Sequence, residues 1–72
     1  MDSTEYTKLV TALFAVLTAR LEDAAEIAVE GQDDTKIASA YPRASQLISI
    51  GREVAIVAEA VAALASVEQA TG

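Results

Sequence analysis

A chain of 72 residues with no cysteine and no histidine holds one small domain at most. It has no disulfide or zinc site to brace that domain, and it lacks the thiol and imidazole on which most nucleophilic triads, histidine phosphotransfer and transition-metal sites rely. Eleven acidic against five basic side chains give a net charge of −6, which opposes any phosphate-bearing partner and argues against nucleic acid and anionic membrane.

Hydrophobic residues make up 53% of the chain, yet uncharged runs such as 9–19 fall short of the roughly 20 residues that span a bilayer. No membrane-crossing segment is expected. The opening places Asp2 and Glu5 before Lys8, unlike the basic start of a secretory signal, so the expected location is cytoplasmic.

The first helix is predicted over about 3–30. Asp2 followed by Glu5 has the spacing of a capping box. Tyr6, Val10, Leu13, Leu17, Ala24 and Ile27 then recur in steps of three, four or seven and form one apolar seam. Leu9, Phe14, Val16 and Leu21 widen that face beyond what one partner helix covers, while Lys8, Thr11, Thr18, Glu22 and Glu26 occupy the opposite side. Arg20 falls in the seam between Leu17 and Ala24, where its stem is expected to pack and its charge to reach solvent or a carboxylate.

Gly31 is expected to end this helix, because glycine tolerates the left-handed conformation that follows a last helical residue. Residues 31–34 then form the turn. Pro42 removes a backbone donor a short way on, so the prediction is a short helical piece over about 35–40, a break near Ser39 to Pro42, and a main helix over about 41–69. Thr71 and Gly72 form a tail. In the main helix Leu47, Ile50, Val54, Val57, Val61 and Leu64 make a second seam. Beside it Ala44, Gly51, Ala58 and Ala65 recur every seven residues, a row small enough for another helix to approach closely.

These patterns predict an all-α fold, a single antiparallel helical hairpin. Because each apolar face is wider than its partner helix, two hairpins are expected to pair into a homodimeric four-helix bundle. The expected core and interface residues are Val10, Leu13, Phe14, Leu17 and Leu21 from the first helix. The second contributes Leu47, Ile50, Gly51, Val54, Val57, Ala58, Val61 and Leu64. In overall plan the chain resembles the small helical hairpins that pair into dimeric bundles. Ile48 and Ile56 lie outside the second seam and are expected to line the dimer interface, the alternative being a further contact surface should both stay exposed. Tyr41, beside Pro42 and Arg43, is expected to pack at the bend, the alternative being an exposed recognition knob.

The one constellation with chemical potential is the acidic run Glu22, Asp23, Glu26, Glu30, Asp33 and Asp34. Glu22, Glu26 and Glu30 are four apart and share one helical strip, where their mutual repulsion invites a neutralising partner: Lys36, Arg43, salt or a hard divalent cation. This arrangement is similar to one half of the paired acidic motifs of small all-α nucleotide pyrophosphohydrolases. That resemblance implies a metal-dependent hydrolase if Glu53 or Glu59 of the second helix joins the strip. The second helix offers only Glu53, Glu59 and Glu68, widely spaced, so the expected role of the strip is a solvated face.

No imidazole is present to activate a hydroxyl, and glycines isolated at 31, 51 and 72 cannot build a phosphate-cradling loop. No catalytic residue, metal or cofactor is therefore expected. The expected function is a structural or protein-interaction module whose partner is a second copy of itself, and another protein beyond that. The alternatives are the hydrolase or a small subunit of a larger assembly.

Overall fold

The computed structural model describes the backbone of residues 2–71 and the side chains of residues 2–67. Two helices, α1 (Ser3–Asp33) and α2 (Ile37–Thr71), pack against each other as an antiparallel hairpin. The molecule measures 53 × 15 × 12 Å, with a Cα radius of gyration of 16.5 Å, against about 11 Å for a spherical domain of this length. Such a rod has no interior beyond the strip where its two helices touch.

Asp2 caps α1 as its spacing to Glu5 predicts: its Oδ1 accepts the Glu5 N–H at 2.9 Å, and its carbonyl accepts the Tyr6 N–H at 3.0 Å. One of the helix's first unpaired donors is thereby satisfied. The other end differs from expectation. Gly31 does not stop the helix, and no described residue has a positive φ. Instead α1 runs to Asp33, and Asp34 leaves it in extended geometry while its N–H still bonds the Glu30 carbonyl at 3.0 Å. The Asp34 carboxylate performs the stop: Oδ1 accepts the Lys36 N–H at 2.9 Å and Oδ2 accepts from Arg43 Nη1 at 2.6 Å. With this side chain holding the turn, a left-handed glycine is not needed.

The expected separate piece over 35–40 and the break at Ser39 to Pro42 are also replaced by one helix. α2 begins at Ile37 and passes through Pro42 without interruption. Starting there puts Pro42 in the second turn, where its ring removes only the bond to the carbonyl of Ala38, an exposed residue whose carbonyl water can satisfy. At its far end α2 is helical to Thr71, two residues past the expected limit. The Glu68 side chain and Gly72 lie outside the described residues.

The packed strip matches the two seams. Tyr6, Val10, Leu13, Arg20, Ala24 and Ile27 on α1, and Leu47, Ile50, Val54, Val57, Val61 and Leu64 on α2, are all partly buried. Leu17, 8% exposed, is the one buried side chain among the described residues. Arg20 Nη1 reaches Glu53 Oε2 at 3.5 Å, and a β-carbon built at Gly31 would meet Arg43 Cδ at 3.7 Å. Stepping along both helices from these pairs at equal rise sets Leu17 level with Val57, Leu13 with Val61 and Val10 with Leu64.

Candidate functional site

The hairpin has two lateral flanks of different chemistry. On the first, Ala28 and Ala44 line an open groove of about 420 Å³ between Ile27 and Leu47, closed at the bend end by the charged residues Asp34, Lys36 and Arg43. Heptad steps continue that flank through Leu21 and Phe14 on α1 and through Gly51 and Ala58 on α2. On the second, Gln46 and Ser49 edge a groove of about 340 Å³ beside Ile27 and Ile50. Further along that flank Arg20 sits between Asp23, at 3.3 Å, and Glu53. The expected behaviour of Arg20 is realised there: its stem lies in the seam and its guanidinium bridges carboxylates from both helices.

The acidic strip does not become a centre. Glu22, Glu26 and Glu30 are exposed along α1, and no group of three or more carboxylates able to hold a metal ion forms among the described residues. Glu53, one of the two residues either of which would serve the hydrolase reading, is engaged by Arg20. Arg43, one of the cations expected to neutralise the strip, is turned instead into the hairpin bend on Asp34.

That hairpin turn holds the part-buried ion pair found among the described residues. Asp34 and Arg43 side chains are each about three-quarters covered, at 24% and 27% exposed. The Arg43 guanidinium first, and the Lys36 N–H second, hold the Asp34 carboxyl below its ordinary value. The chemistry is structural, since a carboxylate neutralised by an adjacent arginine is a poor base and a poor nucleophile. Tyr41 departs from expectation: it is 81% exposed rather than packed, because α2 is helical through Pro42 without the expected break, which leaves Tyr41 on an outer row of the helix.

Among the expected interface residues, those in the seams lie between the helices, whereas Phe14, Leu21, Gly51 and Ala58 do not. Phe14 and Leu21 are each 54% exposed, and a β-carbon at Gly51 would meet nothing within 4 Å. Ile48 and Ile56 are likewise exposed. No helix among the described residues is long and apolar enough to cross a membrane. Comparison of the chain with protein-family models, with curated proteins and with solved structures finds no match in any of the three.

Proposed function

We propose that this chain works as a small structural or protein-interaction module, two copies of the hairpin associating into an antiparallel four-helix bundle. Its acidic outer surface or its ends would then be offered to another protein, in the cytoplasm. The observation that carries this reading is the poverty of the hairpin's own interior: among the described residues only Leu17 is buried, in a chain that is 53% hydrophobic.

The surface area points the same way. The hairpin exposes 5342 Å², whereas a compact monomer of 7.5 kDa exposes about 4,200 Å². The difference exceeds the roughly 800 Å² that each partner contributes to an interface of standard size. Sedimentation equilibrium at micromolar concentration tests the reading, with a dimer expected and a folded monomer overturning it. Co-purification of the tagged chain from its native host then identifies what the bundle serves.

A further inference from the structure

Charge is distributed unevenly around the hairpin. Between Thr7 and Ala28 on α1, and between Ala44 and Ala65 on α2, every residue of the first flank and of the row just outside it is uncharged, although the chain carries 16 acidic and basic side chains. The second flank is interrupted by Asp23, Glu30 and Glu53. An uncharged flank over 30 Å long on so acidic a rod is a surface that can be dehydrated without stranding a charge. Two of its three threonine hydroxyls, those of Thr7 and Thr18 but not Thr11, already have partners. The Thr7 hydroxyl donates to the Ser3 carbonyl at 2.8 Å and the Thr18 hydroxyl to the Phe14 carbonyl at 3.1 Å, so both donors are satisfied within their own helix.

The flank also has relief. On α1 it carries bulk, Phe14 and Leu21, and on α2 at nearly the same height it carries Ala58 and Gly51. Leu21 is level with Glu53 and Phe14 with Ala60, so each large residue stands within about 3 Å, measured along the axis, of its small counterpart. Resting on the dimer reading above, we infer that this flank is the surface on which a second copy of the chain docks, α1 of each copy lying over α2 of the other.

A two-fold axis parallel to the helices produces that arrangement and preserves height. It sets Leu21 against the partner's Gly51 and Phe14 against the partner's Ala58, large against small in each layer, which is how facing side chains fill space without voids or clashes. Every neighbouring pair of helices is then antiparallel. An axis perpendicular to the helices sets bulk against bulk along α1 and leaves the two small rows to meet each other, an arrangement with poorer filling. The surplus of exposed area noted above is of the size such an interface needs.

The test uses two charged variants and a control, followed by sedimentation and circular dichroism. Leu21→Lys and Gly51→Asp each place like charges in one layer of the dimer and are expected to weaken self-association by roughly a hundredfold or more. Mixing the two variants juxtaposes Lys and Asp across the interface and is expected to restore a one-to-one heterodimer and its helicity, detected by native mass spectrometry. Val16→Lys, on the second flank, is expected to remain dimeric. A Leu21→Lys chain that dimerises as tightly as the wild type, or a Val16→Lys chain that does not dimerise, overturns the choice of flank. Failure of the mixture to pair overturns the α1-over-α2 arrangement. Either failure is distinct from that of the dimer reading, which shows as a folded wild-type monomer.

Discussion

Asp34 closes α1, ties down the Lys36 amide and receives the Arg43 guanidinium, so the hairpin bend depends on one carboxylate. Because its pKa is depressed from 3.8 in the folded chain, the stability it contributes is present above that value and is lost as pH falls through the lower folded value. Asp34→Asn is therefore expected to melt below the wild type at neutral pH. The gap should narrow as both are acidified below 3.8 and Asp34 takes up its proton in the folded chain, in melts at matched concentration. At residue scale the two helical glycines make a second pair of expectations. Gly31→Ala adds a methyl that meets Arg43 Cδ at an ordinary 3.7 Å, so it should stabilise by up to about 1 kcal/mol. Gly51→Ala is equally free of contacts within the hairpin, yet on the proposed docking flank its methyl would meet the partner's Leu21, and overpacking of about 1 to 3 kcal/mol would offset the propensity gain. A Gly51→Ala chain that gains as much as Gly31→Ala would show that the small row faces water.

Side chains bound α1 at both ends and fix where α2 begins: Asp2 opens α1, Asp34 closes it, and α2 starts only at Ile37, once Asp34 has shaped the turn. Among the described residues Arg20 is the one charged side chain of the packed strip between hydrophobic neighbours, and its pairs with Asp23 and Glu53 are half-exposed. Pairs of that kind contribute little to stability, about 0 to 1 kcal/mol. Their value lies in register, since Arg20 reaches Glu53 in one alignment of the two helices and a polar seam residue commonly selects register at some cost in stability. Arg20→Leu is accordingly expected to raise stability by about 1 kcal/mol while broadening the distribution of oligomers seen by native mass spectrometry. A variant that is less stable than the wild type would mean that the ion pairs outweigh the apolar contact.

For the whole molecule, a native state assembled from two chains must melt at a temperature that depends on concentration. With an unfolding enthalpy of about 0.7 kcal/mol per residue over both chains, each tenfold rise in concentration is expected to raise the melting temperature by about 5 °C. A midpoint unchanged over a hundredfold range would remove the dimer. The charge distribution belongs to this scale as well. Among the described residues the acidic side chains other than Asp34, which is paired with Arg43 at the bend, keep to the outer faces and the second flank, so like charges repel along most of the rod and the proposed docking flank is the approach free of that repulsion.

Periodicity alone determined the helices and both seams, because burial on one side of a helix imposes steps of three and four that survive in the sequence whatever the partner is. The residues from Tyr6 to Ile27 and from Leu47 to Leu64 thus stand where their spacing puts them. The Asp2 cap was legible for a similar reason, being a contact between residues three apart. The end of α1, the passage through Pro42 and the exposure of Tyr41 were decided by tertiary structure. Asp34 can close the turn only because α2 returns Arg43 to it, and once α2 starts at Ile37 the proline costs a single exposed bond rather than a break. The separation into a charged and an uncharged flank was likewise written in the residues but readable only with the register known. Which row of α1 lies beside which row of α2 depends on how the chain turns back, and no local pattern in either helix carries that information.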